Sequence, residues 1–544
     1  MLLPHKPRTD QFLMGLLLVL FLLLLFNLDG WGIMETSEAR YAEISREMWL
    51  TGDLLHPRLL GIQHYQEPPL TYIITAIGID IFGPNGFGAR FFLQVSLLVQ
   101  VWLVYLIAKE LFHVPRQALL AALIYLTIPA VLLSARHLTS DSYLATFELA
   151  AILAWLKYKT SGRAVWLYFF YLLLALAFLT KGPLGLIFPL FAVIGFSQHY
   201  SSVSGYASGW HHLPAALLFL LLGSSWFVYL ILQHPQLLDY FLYKYTWQYF
   251  TDLDAFGPSK PWWFYFALAP VLSLPWFAIL LLQLKKLAAM PAALKRLFLF
   301  WIIVPLIFFS FLGPKLIFYI LPVFAGQALL TTWIINHFPT KTMVKAVTGS
   351  MLYFALLLVA LIALPLLPLG INLPWRLLSL PFFSLLLLLV LWNGERSAYQ
   401  KIMYGALLLT ALLVPFSTKL LAYNPQLLNG SRQIAEVIKE RELQHRPVLV
   451  YNRLLPSLAF ELNSSIISLE DGSSKLEREV QFEQDGQWRE QLLQLNRLQD
   501  LERLRQLLQQ QPVLVVKGKL PEERQWMLQY FNEKLQIRDW RVYY

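Results

Sequence analysis

The chain has 544 residues, of which 57% are hydrophobic and 14% are charged, and its mean hydropathy is +0.53. A soluble domain carries about 25% charged residues, so this composition, with repeated apolar runs of about 20 residues, indicates a polytopic helical membrane protein. The formal net charge of +10 fits basic cytoplasmic loops and calls for no nucleic-acid partner, and the absence of cysteine excludes disulfides and thiolate chemistry.

The membrane domain is predicted to span residues 1–423, to be mainly α-helical and to contain about 13 transmembrane helices. Its first apolar run, residues 11–28, follows a basic start and lacks a small-residue cleavage site, which predicts an uncleaved signal anchor. The distribution of Lys and Arg between loops predicts a cytoplasmic N-terminus and a C-terminal domain outside.

A long amphipathic outer loop, about residues 30–87, follows the first span. It contains "METSEARYAEISREM" at 34–48, which predicts a helix that begins after Thr36 or Ser37 and lies on the membrane surface. A second surface helix is predicted over 67–82, with proline at its start. Glu35, just before the first helix, is either a general base held at a cavity mouth or a solvated cap residue.

The other predicted outer loops also collect polar residues. They include "ARHLTSD" at 135–141, "TKGP" at 180–183, the stretch 231–262 and "GPKLIFY" at 313–319. Polar groups in an apolar protein cost free energy, so their clustering on one side suggests a shared site.

The C-terminal tail, residues 424–544, is polar and charged. "RPVLVYN" and "PVLVVKG" resemble strands, while "SRQIAEVIKEREL" and "EERQWMLQYFNEKL" have helical periodicity. A small soluble α/β domain is expected here, and the tail shows no nucleotide-binding signature.

At "ETSEARYAEISREM" the sequence resembles the family of ArnT-like and protein O-mannosyltransferase-like membrane glycosyltransferases, which have the GT-C fold. Further similar segments follow in order over residues 30–330: "TGDLLHPRLLGIQHYQEPPLTY", "FGPNGFGARF", "HLTSDSYLATF", "FLTKGPLGLIFP" and "GPKLIFYILPVFAGQALL". Each motif alone is weak, but the ordered set is specific.

The resemblance implies an inverting transferase in the bacterial inner membrane. Such enzymes take a sugar from a polyprenyl-phosphate carrier at the outer leaflet and transfer it to lipid A, protein or another envelope glycan. They use no nucleotide sugar, and no cofactor is expected. A lipid phosphate is a good leaving group, so one carboxylate base for the acceptor and cations on the phosphate would suffice.

Three acids are candidates for the catalytic role by this resemblance. Glu35 is the expected base and Glu38 is its rival, because relatives do not always place the acid at one offset. Asp141 matches the second acid of the family, and its alternative role is an acidic cap at the start of a span.

Several side chains, most of them cationic, are candidates for binding the donor. Some of them could have a purely structural role instead. Lys181 and Lys315 could instead snorkel at membrane ends, and Tyr319, one turn after Lys315, could be a buried aromatic. The complete donor-binding set is Arg40, Arg58, Lys181, Lys244, Lys315 and Tyr319, and the expected cavity-loop residues are Tyr65 and Glu67.

The chain departs from the family pattern at two places. The "KPP" lysine, expected to hold the donor phosphate, is Gln66 here. The usual "His-x-x-Arg" after the seventh span is replaced by Tyr245 and Gln248, with Lys244 adjacent as a possible substitute. A metal ion is therefore not predicted.

Two other classes of function stay open. A transporter or flippase for polyprenyl lipids would predict charges or Gly/Pro breaks deep within paired spans. A non-catalytic scaffold derived from the enzyme would predict that Glu35 and Asp141 are dispensable, and the missing lysine favours it.

Overall fold

The computed structural model describes residues 6–196, 209–243 and 260–544, apart from residues 314, 369, 474, 475, 477, 478 and 485. The described chain is mainly helical and packs as two compact units. We call Met1–Phe26 with Leu93–Leu420 the membrane unit. We call Asn27–Phe92 with Leu421–Tyr544 the mixed unit.

The membrane unit is built from helices of very different lengths. The α-helices are Lys6–Leu24, Gly86–Phe112 (divided between the units after Phe92), Pro115–Leu126, Pro129–Ser134, Ser140–Ser161, Ala164–Lys181, Ile187–Phe196, His212–Gly223, Ser225–Gln233, Leu237–Asp239, Phe264–Leu272, Trp276–Leu281, Ala292–Phe298, Val304–Ser310, Leu321–Asn336, Thr340–Ala363, Trp375–Asn393 and Ala398–Tyr423 (divided after Leu420). Short 3₁₀ segments are Gly182–Leu186, Gly209–His211, Leu284–Ala289, Ile317–Ile320 and Leu364–Leu366, and Leu299–Ile303 is a π-helix.

Seven helices in the described residues are long and apolar enough to cross a membrane, or eight if the pair bent by 47° at Ser224 is one span. The chain is thus a multi-pass membrane protein, whereas the expected number of about 13 spans is not confirmed. Several apolar runs are broken at proline, as before Pro129 and at Pro275. Proline removes a helical N–H and clashes with the preceding turn, so one apolar run becomes two short helices.

Buried aromatic side chains fill the core of the membrane unit. Trp276 and Trp301 are fully buried, yet each indole N–H has a partner: Trp276 Nε1 donates to Thr127 Oγ1 at 3.0 Å, and Trp301 Nε1 donates to the Pro322 carbonyl at 3.0 Å. These bonds allow large apolar rings to be buried without leaving an unsatisfied donor.

A helical hairpin positions the residues discussed below. Ser140–Ser161 ends at Gly162, whose φ of +68° is the left-handed conformation that favours glycine, and Ala164–Lys181 returns beside it. The start of the first helix therefore lies beside the end of the second.

The mixed unit combines helices with two sheets. Its helices are Ser37–Thr51, Leu70–Phe82, Arg432–Glu440, Pro456–Leu462 and Leu498–Leu508, with 3₁₀ segments Pro425–Leu427, Val480–Phe482, Gln487–Glu490 and Glu522–Tyr530. Its strands are β1 (Arg58–Leu59), β2 (Ile62–Gln63), β3 (Val448–Tyr451), β4 (Ile467–Glu470), β5 (Leu492–Gln494), β6 (Val513–Lys517), β7 (Lys534–Ile537) and β8 (Trp540–Tyr543).

The larger sheet has the strand order β5-β4-β3-β6-β8-β7. The first four strands are parallel, and β3 is buried at every residue, as expected for a parallel strand covered on both faces. Strands β8 and β7 extend the sheet as an antiparallel hairpin. The prediction of a small C-terminal α/β domain is confirmed.

Most of the elements predicted for the tail are confirmed, and one predicted helix is wrong in part. Strands β3 and β6 and the helix Arg432–Glu440 lie where the sequence predicts them. The helix predicted from Glu522 onward is wrong in part, because a 3₁₀ segment ends at Tyr530 and β7 begins at Lys534. Pairing with β8 overrides the local helical periodicity there.

Both helices predicted for the 30–87 loop are confirmed, at Ser37–Thr51 and Leu70–Phe82, and charged side chains of the first helix are buried. Ser37–Thr51 forms as predicted, yet Glu43 is fully buried and Arg46 is 3% exposed. Arg46 contacts Asn463 and the Ser464 carbonyl, so this charged face packs against the tail instead of facing solvent.

Candidate functional site

A buried ion pair joins Asp141 and Lys181 in the membrane unit. Asp141 lies in the first turn of Ser140–Ser161, and Lys181 is the last residue of Ala164–Lys181. Lys181 Nζ lies 2.5 Å from Asp141 Oδ1, and the side chains are 4% and 2% exposed. Each charge also has the sign that its own helix terminus favours. The hairpin thus brings two predicted site residues together across 40 positions of sequence.

Tyr319 completes this cluster. Lys181 Nζ lies 4.4 Å from the centre of the Tyr319 ring, a favourable cation–π geometry, and the tyrosine is only partly buried. Tyr319 comes one turn after Lys315 in the sequence, but the two do not share a helix, because the 3₁₀ segment begins only at Ile317. Lys181, Asp141 and Tyr319 are called the hairpin cluster below.

Tight backbone packing holds Lys181 in place. The chain turns sharply at Gly182, whose φ is +59°, and folds back as a 3₁₀ segment. A Cβ added at Gly185 would lie 2.4 Å from the Ala177 carbonyl oxygen, so only glycine permits this close approach.

Glu148 is a further buried acid near the hairpin cluster, and it is not among the candidate residues predicted from the sequence. It lies two helical turns after Asp141, is 1% exposed and interacts electrostatically with Asp141 and Lys181. The signal was present, because a carboxylate inside an apolar span is costly and usually functional.

A buried polar network fixes the helix that carries Asp141. Gln100 Nε2 donates to the Ser142 carbonyl at 2.8 Å and to Thr146 Oγ1 at 3.0 Å. Its Oε1 accepts from the Tyr125 hydroxyl at 2.7 Å, while Ser96 Oγ lies 2.6 Å from Thr146 Oγ1. These bonds join Gly86–Phe112, Pro115–Leu126 and Ser140–Ser161 one turn from Asp141.

Replacing Gln100 with leucine is therefore expected to destabilise the membrane unit. The Tyr125 hydroxyl would lose its acceptor, and an unsatisfied buried group costs about 1–3 kcal/mol. Thermal unfolding in detergent would measure the loss. Adding Tyr125→Phe should recover part of it, and an unchanged Tm in Gln100→Leu would contradict the network.

Lys315 occupies a different environment from Lys181. Its Nζ donates to the carbonyls of Lys260 (2.8 Å) and Leu312 (2.5 Å), and Lys260 Nζ donates back to the Lys315 carbonyl at 2.9 Å. These hydrogen bonds connect the chain at Lys260 with the chain at Lys315. The ammonium group of Lys315 is thus engaged by backbone oxygens, which supports a structural use of this side chain.

In the mixed unit, Glu35 accepts a hydrogen bond from the Ser457 backbone N–H at 2.8 Å. Burial raises the pKa of this carboxyl to about 7, although the hydrogen bonds from Ser457 and the charge of Arg40 act in the opposite direction. A carboxyl with that pKa changes its protonation state near neutral pH, as a general base would need to do.

Glu38, the rival base, lies in a closed ion pair. Arg90 Nε and Nη2 donate to its two oxygens at 2.8 and 2.9 Å, and both side chains are fully buried. The Met34 N–H donates to the same carboxylate at 3.0 Å. This geometry favours Glu35 over Glu38 as a reactive group.

Three more predicted residues of the loop, Arg40, Tyr65 and Glu67, have partners within the mixed unit. Arg40 Nη1 lies 3.5 Å from Gln66 Oε1, and Tyr41 donates from its hydroxyl to Glu67 Oε2 at 2.6 Å. Tyr65 is buried, with its ring 5.5 Å from that of Phe482. Gln66 thus contacts Arg40 at the position where the family motif has lysine.

Other loop charges hold this part of the unit together. Arg46 binds both oxygens of Glu43, at 2.8 and 2.6 Å, while the Glu47 carboxylate accepts from the Gly61 N–H at 3.1 Å. Burial and the charge of Glu43 hold the pKa of Glu47 well above its usual range. Arg58 is half-buried in β1, and Lys244 lies outside the described residues.

Comparison with known proteins relates this chain to transferases. Residues 66–229 match the family model described as dolichyl-phosphate-mannose-protein mannosyltransferase. The chain is 34% identical over 324 residues to undecaprenyl phosphate-alpha-4-amino-4-deoxy-L-arabinose arabinosyl transferase 1 of Sodalis glossinidius, with 58% of each protein covered. It is 30% identical to the protein of the same name in Pseudomonas fluorescens, over 59% of each. The matches thus span less than two thirds of these relatives' own length.

The fold is also that of a solved protein. The crystal structure of ArnT from Cupriavidus metallidurans bound to undecaprenyl phosphate superposes with a TM-score of 0.76, at 19% identity, over 99% of this chain and 98% of that one. The apo structure of the same protein gives a TM-score of 0.74 at 20% identity, with 97% of each chain covered. The chain therefore has the ArnT fold, and its resemblance to the ArnT-like family of GT-C proteins, predicted from its ordered motifs, is confirmed.

Proposed function

We propose that this chain is a membrane glycosyltransferase that moves a sugar from a polyprenyl-phosphate carrier to an envelope acceptor. The observation that carries the proposal is the 34% identity over 324 residues to a protein named as an undecaprenyl phosphate-aminoarabinose arabinosyl transferase. The acceptor belongs to the class of lipid A, protein or glycan. The reaction takes place at the outer face of the bacterial inner membrane, with the N-terminus cytoplasmic and the soluble tail, residues 424–544, outside.

The hairpin cluster supplies groups for the donor phosphate. Lys181 provides one positive charge at the end of its helix, and Asp141 and the Tyr319 ring hold the ammonium group in position. A cation fixed before the reaction stabilises charge that develops on a leaving phosphate without reorganising at that moment. Arg40, Arg58, Lys244 and Lys315 remain candidate donor contacts, with Lys315 the weakest because backbone carbonyls bind its ammonium group.

Glu35 is the proposed base for the acceptor hydroxyl. Ionised Glu35 takes the proton as the hydroxyl oxygen forms its bond to the sugar, and the bond from the sugar to the phosphate oxygen breaks. Displacement from the opposite face inverts the anomeric carbon. The phosphate leaves as an anion, so no general acid is required.

Replacement of Glu35 by glutamine tests this assignment. Wild-type protein in lipid nanodiscs would be given a panel of radiolabelled polyprenyl-phosphate sugars with an envelope extract as acceptor. We expect Glu35→Gln to lower transfer by about 10²–10⁴-fold, the usual contribution of general-base catalysis. Because the pKa of Glu35 is raised to about 7, the base form accumulates as pH rises, so the wild-type rate should increase through pH 7.

The exposed Glu436 of the same unit, which pairs with Arg432, offers the matched control: Glu436→Gln should keep both rate and pH profile. Transfer that survives in Glu35→Gln would reassign the base. Absence of transfer from every donor would favour a scaffold, which the Glu35–Ser457 bond and the Gln66 substitution also suit, or a flippase. A lipid-translocation assay separates those two.

A further inference from the structure

Glu148 is a buried acid to which the proposed reaction gives no role. It lies seven residues after Asp141 on the helix Ser140–Ser161, so the two Cα atoms are about 10 Å apart along the same helical face. Its side chain is 1% exposed, and its Oε1 has no hydrogen-bond partner among the residues that the structure describes. A buried carboxylate oxygen without a donor is costly when the group is ionised.

The charges around Glu148 are unbalanced. Among the residues that the structure describes, Asp141 on its own helix and Lys181 on the other helix of the hairpin are the charged groups with which it interacts. The segments Ile187–Phe196, Gly182–Leu186 and Leu321–Asn336, which also pack against this helix, carry no charged side chain. The 3₁₀ segment at Ile317 contributes Tyr319, and Gly86–Phe112 contributes the uncharged Ser96 and Gln100.

Two acids and one lysine would carry a net charge of −1 if all three were ionised. A low-dielectric interior opposes that state, and two carboxyl groups that share one cation avoid it when one of them keeps a proton. Asp141 is the acid within 2.5 Å of the ammonium group, so Glu148 is the acid left to hold the proton.

We propose that Glu148 is a positioning residue that stays protonated while Asp141 is paired with Lys181, which keeps the cluster neutral so that Lys181 can receive a phosphate anion. The second half of this statement rests on the proposed function, whereas the first half does not. Ionised Glu148 would add a negative charge near the phosphate and repel it.

Infrared spectroscopy tests the proton directly and needs no donor. A difference spectrum between wild type and Glu148→Gln at neutral pH should show the carbonyl band of a protonated carboxylic acid in the wild type. Glu110→Gln is the matched control, because Glu110 pairs with Lys157 at a partly exposed site of the same unit. Its difference spectrum should show the antisymmetric band of an ionised carboxylate. A carboxylate band for Glu148 overturns the proposal.

Binding of undecaprenyl methyl phosphate tests the consequence. This probe is a phosphodiester, so its own charge is constant across neutral and alkaline pH. Wild-type affinity should fall by about tenfold as Glu148 ionises at alkaline pH. Glu148→Gln should bind equally well at both pH values, and Glu148→Asp should restore the pH dependence.

An equal fall in wild type and Glu148→Gln would overturn the inference, because another group would then be titrating. If Glu148 is protonated but the protein binds no probe, the proposed protonation state of Glu148 is supported and the proposed phosphate role of Lys181 is overturned. The two arms therefore separate failure of this inference from failure of the proposed function.

Discussion

Lys181→Met is expected to abolish most sugar transfer and to destabilise the membrane unit. The substitution leaves Asp141 and Glu148 buried without their cation, and breaking one side of a buried pair costs about 3–5 kcal/mol. Loss of one fixed charge at a developing anion lowers the rate by about 10²–10³-fold. Thermal unfolding in detergent and the radiolabelled transfer assay measure the two effects separately.

A double variant distinguishes folding from function. Asp141→Asn with Lys181→Met removes both charges, and replacing a whole buried pair is often neutral for stability. We therefore expect its Tm to return towards the wild-type value while transfer stays low. Recovery of both properties would mean that the pair is structural only. Lys157→Met, which breaks the partly exposed pair with Glu110, should change stability by only about 0–1 kcal/mol.

Arg90→Met is expected to unfold the mixed unit or to weaken it severely. The Arg90 guanidinium donates to both oxygens of Glu38 and to the carbonyls of Leu28 and Gly32, at 2.6 to 2.9 Å. The Trp31 ring lies 4.2 Å from it. Removing it leaves the buried Glu38 carboxylate without its cation and takes one donor from each of the two carbonyls, a loss of about 3–5 kcal/mol.

Limited proteolysis and thermal unfolding would measure this loss. Adding Glu38→Leu removes the uncompensated charge and should restore part of the stability. Glu38→Gln alone should lower stability as well as activity. If Glu38→Gln instead removed transfer from a protein of unchanged Tm, Glu38 would be the base and its ion pair incidental.

The comparison of Glu35 with Glu38 illustrates what a local pattern can predict. The helix Ser37–Thr51 follows from periodicity and from residues suited to its start, because these depend on neighbours in sequence. The partners of the charged side chains at this helix cannot be predicted from neighbouring residues. Glu38 pairs with Arg90, 52 residues away, and Glu35 binds Ser457, 422 residues away. The same spacing that suggests a polar surface is therefore also compatible with a charged interior.

The amino-acid sequence is sufficient to predict a multi-pass helical membrane protein with a small α/β tail and the ordered motifs of an ArnT-like chain. Hydropathy, helical periodicity and the order of motifs depend only on the residues within each segment, so they can be recognised in the sequence. The contacts between polar groups could not be predicted in this way. Lys181 is paired with Asp141 and Tyr319, Lys315 is held by backbone carbonyls, and buried Glu148 interacts electrostatically with Asp141 and Lys181. Burial and pairing of a charge depend on which helices pack together, and that packing is a property of the whole chain.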